Sequence, residues 1–121
     1  MSIRIRKLVE EPGEELKEEG YEGVNSVWVS LKRDDLEAFS SRLMRIDPGG
    51  HIGLHVHDRE HIAVVIRGGC VVETGESGRA VGEGSIVTIP GGVPHRFVND
   101  SDEKLALFIM NFYVESEEVQ A

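Results

Sequence analysis

Apolar residues in this chain gather in short runs between turn residues, and no helical period of useful length recurs. Val24 to Leu31 is rich in β-branched and aromatic residues and predicts a strand. The polar stretch Arg33 to Ser41 reads as a loop, and Arg42 to Asp47 as a second strand closed by the turn signal Pro48-Gly49-Gly50. His51 to His57 reads as extended, and His61 to Arg67 is a strong apolar strand stopped by Gly68-Gly69. Cys70 to Thr74 and Arg79 to Val81 flank a hairpin loop, Gly75-Glu76-Ser77-Gly78. Ser85 to Ile89, His95 to Asn99 and Leu105 to Val114 complete the series, each after a glycine, proline or acidic turn. About ten strands with turn signals every 8–12 residues predict an all-β antiparallel sandwich or barrel.

Two of these strands break simple alternation. His61 to Ile66 and Leu105 to Phe112 are apolar on both parities, so one face lines the interior and the other needs a cover too. A symmetric homodimer packing sheet against sheet is the expected cover, and the N-terminal arm is the alternative. That arm, residues 1–23, is crowded with glutamates around Pro12-Gly13 and reads as solvated. Within it Glu14 to Glu19 suggests one or two helical turns ended by Gly20, and Ile3 and Ile5 an edge strand. The expected organisation is thus an acidic arm (1–23), a β-barrel (24–114) and an acidic tail (115–121).

Composition narrows the function classes. A chain of 121 residues, 40% apolar, is one domain able to bury roughly two thirds of its unfolded surface. Cys70 is the sole cysteine, which excludes an intrachain disulfide and a thiolate metal cluster and fits a cytoplasmic location. The net charge of −9 disfavours nucleic acid and anionic membranes as partners, and no run is long enough for a membrane span. A local metal ion would still allow a small anionic ligand.

The candidate chemistry lies in histidines. In a strand, His55 and His57 share a face at roughly 6–7 Å between Cα atoms, close enough to converge on one ion. His61 has the same parity after a bend at Asp58-Arg59-Glu60, and joins them if its strand pairs alongside. His95 arrives from a distant strand that must cross the barrel. Neutral imidazoles suit Mn, Fe, Ni, Cu or Zn to differing degrees. A single histidine on an apolar face is usually just a hydrogen-bonded core residue, so the reading rests on the four together.

The spacing around these histidines resembles the cupin superfamily. The first motif reads Gly49, five residues, His55-Val56-His57, three residues, His61, six residues, Gly68. The second reads Gly84, five residues, Pro90-Gly91-Gly92, two residues, His95, three residues, Asn99. The resemblance covers residues 24–113 and departs at one place, where His61 replaces the usual glutamate. It implies a double-stranded β-helix, a jelly-roll or cupin barrel with a short N-terminal arm. It also implies one divalent metal ion inside, held by His55, His57, His61 and His95. Glu60 is the rival fourth ligand, one residue early and therefore on the wrong face. Four neutral ligands leave the full +2 charge uncompensated, which favours a carboxylate or enolate at the open positions. Gly49, Gly68 and Gly84 are expected at turns with positive φ, Pro90 and Pro94 stiffen the approach to His95, and Asn99 is expected to fix a turn.

Other candidates have two readings. Arg42 shares the side of Met44 and Ile46; if these face inward, it meets a substrate carboxylate near the mouth, and otherwise it snorkels to solvent. His51 is expected at the rim and Cys70 as a buried inert thiol. Trp28, Phe97, Phe108 and Phe112 are expected to pack. Glu60 and Glu73 are the possible general bases. The expected function is a metal-dependent enzyme acting on a small organic acid or carbonyl compound, of dioxygenase, decarboxylase or isomerase type, hence an oxidoreductase or lyase. The alternative is a non-enzymatic small-molecule sensor with structural or no metal.

Overall fold

The computed structural model describes residues 5–30, 39–55 and 60–112, with only the backbone of Ser30, Phe39, Leu54 and His55. Nine strands run β1 (Glu14–Leu16), β2 (Glu22–Ser30), β3 (Phe39–His55), β4 (Glu60–Arg67), β5 (Cys70–Thr74), β6 (Ser77–Val81), β7 (Ile86–Ile89), β8 (His95–Val98) and β9 (Leu105–Phe112). They form one curled antiparallel sheet, ordered β6-β5-β8-β3-β9-β4-β7, with β2 also on β3 and β1 on β2. The all-β barrel architecture expected from the strand spacing is what the chain forms.

The long β3 makes the barrel. The sequence suggests two strands split by a turn at Pro48-Gly49-Gly50, but the chain bends there without reversing. Residues 39–46 of β3 pair with β9 on one side, and residues 51–55 pair with β8. Gly49 has φ +83°, its N–H donates to the Asn99 carbonyl at 2.8 Å, and the Asn99 N–H donates to Gly50 at 2.9 Å. These bonds hold the corner in place of a hairpin. Gly68 and Gly84 also have positive φ, as their motif positions suggest.

Register sets the faces. Interior rows run Ser26–Met44–Leu107–Val65 and Trp28–Arg42–Ile109–Ala63 across β2, β3, β9 and β4. Ile46, Leu105, Leu107, Val24 and Val65 are almost wholly buried there. Burying them in a closed sheet supplies the main driving force at about 25 cal/mol per Å². Cys70 joins this core, where desolvation, aided by the negative charge of Asp100, pushes its thiol up to about 11. It is an inert packing thiol.

The N-terminal segment differs from its expectation. Glu14–Leu16 is a strand, because Leu16 turns its side chain into the core beside Val24, and only Leu8–Glu10 makes a single 3₁₀ turn. Ile5 is 87% exposed and pairs with no strand, while Ile3 lies outside the described residues. The segment covers part of the outer face: Arg45 donates to the Leu8 and Glu11 carbonyls, and Arg6 to Trp28 and Val29. The outer face of β9 stays half-buried, and so does that of β4 as far as Val64, beyond which Ile66 is exposed. No helix among the described residues is long and apolar enough to cross a membrane.

Candidate functional site

Alternation along β9 buries every second residue, and the inward series Leu105, Leu107, Ile109 ends in Asn111. Asn111 stands opposite His61 on β4 and Ser40 on β3, and its Nδ2 donates to Ser40 Oγ at 3.4 Å. This polar row caps one end of the apolar interior. His95 opens β8 and is buried, beside Phe97. The His61 and His95 rings lie 5.3 Å apart between centroids, tilted by 55°. Both border a cavity of about 50 Å³ walled by Met44, Ile52, Phe97 and Ile109, with Arg42 and Asn111 at its polar side.

The His95 tautomer follows from a hydrogen bond. Its Nδ1 lies 2.9 Å from the Val93 carbonyl oxygen, which only accepts, so Nδ1 carries the proton. In a neutral ring this leaves the lone pair on Nε2, the arrangement that a metal-binding imidazole uses. Two imidazoles bound to one ion through metal–nitrogen bonds of about 2.1 Å hold their centroids about 5 Å apart. The His61–His95 spacing therefore fits a shared ion.

His55 stands directly opposite His95 in the β3–β8 register, after a shift between Gly53 and His55. Gly53 makes that approach possible. Its φ is +109°, and a Cβ there would come within 2.8 Å of the His95 carbonyl oxygen and 2.9 Å of Arg96 Cα. His57 lies outside the described residues, and among the described residues no group of three or more His, Cys, Asp or Glu assembles. His51 pairs with Val98, one register step from the buried Ile52–Phe97 pair, and is half-buried.

The acidic candidates sit away from the cavity. Glu60 stands opposite Phe112, with neighbouring His61 bordering the cavity instead. Glu73 accepts from Arg96 Nε at 3.0 Å and pairs with its Nη2 at 2.8 Å, which makes it an ion-pair partner and a poor general base. No aspartate or glutamate among the described residues lines the cavity. Asn111 and Tyr21, which also lines it, escaped the sequence reading. Asn111 had a signal, a lone polar residue at the inward parity of an apolar strand; Tyr21, outside any strand, had none.

Comparison with known proteins places this geometry. The Cupin_2 family model, described as Cupin domain, matches residues 42–111. The chain belongs to the cupin family. Solved structures agree on the fold. A predicted oxalate decarboxylase from Thermotoga maritima superposes with a TM-score of 0.83 at 18% identity, covering 92% of this chain and 100% of that one. The polyketide cyclase RemF from Streptomyces resistomycificus gives 0.76 at 21% identity, covering 100% and 94%. A sugar phosphate isomerase of the cupin superfamily from Silicibacter pomeroyi gives 0.66 at 22% identity, covering 76% and 60%. No curated protein matches. In this cupin, Asn99 is wholly buried and holds the corner of β3, donating to the Ile46 and Glu103 carbonyls and accepting from Ser101. It has the turn-fixing role expected of it.

Proposed function

We propose that this cupin binds one divalent ion, of Mn, Fe, Ni, Cu or Zn, through His55, His57, His61 and His95, and acts on a small organic acid or carbonyl compound. The observation that carries the reading is the His61–His95 pair at 5.3 Å on a cavity wall, with His95 Nδ1 tied to Val93. The β3–β8 register supports His55 as a third member. When bound, such an ion supplies Lewis-acid or redox chemistry to a ligand at its open positions. The Val93 carbonyl fixes the His95 ring, and the walls of Met44, Ile52, Phe97 and Ile109 limit water around the ligand. A cavity of about 50 Å³, well below the usual drug-sized pocket of about 300–1,000 Å³, suits a small ligand. Fold neighbours named as a decarboxylase, a cyclase and an isomerase fit small-molecule chemistry of this kind.

The absence of a carboxylate from the described lining favours a second reading, a metal-dependent binding module without turnover. Half-exposed Ile62, Val64, Phe108 and Met110 on the outer faces of β4 and β9 support self-association as a homodimer.

Elemental mass spectrometry on protein purified without chelators or a nickel column tests the metal. We expect about one ion per chain, released on acidification because imidazoles bind only as neutral bases, and lost in His95→Ala. An empty wild-type protein that stays empty after incubation with each ion rejects the reading. Oxygen-uptake and decarboxylation screens then separate an enzyme from a sensor.

A further inference from the structure

Arg42 is the cation among the described residues that line the cavity, and those residues leave it incomplete. Its row partners across the interior are Trp28 on β2 and Ile109 on β9. The guanidinium carbon lies 4.6 Å from the centroid of the Trp28 ring, and Nη1 donates to the buried Ser26 hydroxyl at 3.5 Å. Stacking and this one weak hydrogen bond hold the group in place, but neither neutralises it. Arg42 Nε is shielded from solvent, and no acceptor among the described residues reaches it. In a chain with 22 acidic residues, none of those described forms an ion pair with Arg42. A shielded donor on an uncompensated cation is costly in an apolar wall. An anion taken into the cavity would offset the charge.

We propose that Arg42 binds the carboxylate of the ligand, as the second pole of a site whose first pole is the His61–His95 pair. The inference rests on the metal reading for the first pole only; the Arg42 subsite exists with or without an ion. With Nη1 engaged by Ser26 and Nε shielded, Nη2 is the donor left for a carboxylate oxygen, backed by the full charge of the guanidinium. Arg42 and His61 lie in adjacent interior rows, two strands apart, which puts their Cα atoms about 12 Å apart by strand spacing and rise. Both side chains reach into this gap, so a ligand of about three to four carbons with a carboxylate at one end spans the remainder. The ligand class is therefore a short carboxylic acid with a second oxygen function.

Trp28, the sole tryptophan, reports on the stack directly. Malonate and its uncharged analogue malonamide are titrated into wild type, Arg42→Gln and Arg42→Lys, both metal-loaded and chelator-stripped, with calorimetry, Trp28 emission and metal content as readouts. We expect malonate to bind wild type and shift Trp28 emission, malonamide to fail, and Arg42→Gln to bind malonate at least about 10-fold more weakly with unchanged metal content, the loss of a charged hydrogen-bond pair. Arg42→Lys keeps the charge but loses the planar group stacked on Trp28 and should fall between. Equal malonate affinity in wild type and a folded Arg42→Gln overturns the proposal. So does malonate binding that leaves Trp28 emission unmoved, a result that needs no variant to fold. Preference for inorganic phosphate over malonate, or no carboxylate binding in either form, overturns it as well. Arg42-dependent binding in protein that never takes up metal upholds this inference while rejecting the metal reading.

Discussion

Two clusters of polar groups stand at different points of this barrel, and they are built in opposite ways. At the β3 corner, Asn99 donates to two carbonyls and accepts two hydrogen bonds from Ser101, and its backbone closes on Gly49 and Gly50. Every group there finds its partner inside the chain. Across the interior, Arg42, His61, His95 and Asn111 converge on a cavity, and Arg42 carries a shielded donor that the described residues leave unanswered. A cluster closed on itself does structural work, whereas one opening onto space is poised for something else to complete it. Burial alone does not separate the two; the direction of the hydrogen bonds does.

Substitutions sharpen this contrast. The largest effect is expected at the closed cluster: Asn99→Ala removes four hydrogen bonds and takes the side-chain donor from the buried Ile46 carbonyl, so urea melts should show a loss of about 2–4 kcal/mol. The surviving folded fraction should keep its metal content. A folded variant that lost metal selectively would erase the distinction. Gly53→Ala acts on the boundary between the regions, since its Cβ presses on the His95 backbone. Its positive φ alone costs about 1–3 kcal/mol, and metal affinity should fall with stability. Unchanged metal affinity there would uncouple β3 from the site. Glu73→Gln is the smallest change, below about 1 kcal/mol for a partly exposed pair. It should leave any turnover untouched, and a large drop in rate would restore Glu73 as a base.

Much of the fold was legible because strand signals are local. The runs from Cys70 to Thr74 and from His61 to Arg67 survive almost to the residue, since glycines bracket the first and stop the second. The misreadings share one cause, tertiary context. Pro48-Gly49-Gly50 has the composition of a reversing turn, yet bonds from Asn99, about fifty positions on, make it a bend within one strand. Glu14 to Glu19 has helical propensity, but pairing with β2 and burial of Leu16 draw Glu14–Leu16 into the sheet. At the site, the motif spacing picked out His61 and His95, which the barrel brings together. The inward direction of Arg42 was decided by a parity that became readable only once Met44 and Ile46 were seen to be buried. The stack on Trp28 and the tether of His95 to Val93 depend on atomic positions that no spacing encodes.

The place of β9 has a consequence for assembly during synthesis. This strand lies between β3 and β4, joining Phe39 to Phe112 and His61 to Asn111. Until residues 105–112 have been made, β3 has only β2 and β8 beside it and β4 only β7. A nascent chain stopped short of them would hold His61 on a strand not yet joined to the one that carries His55.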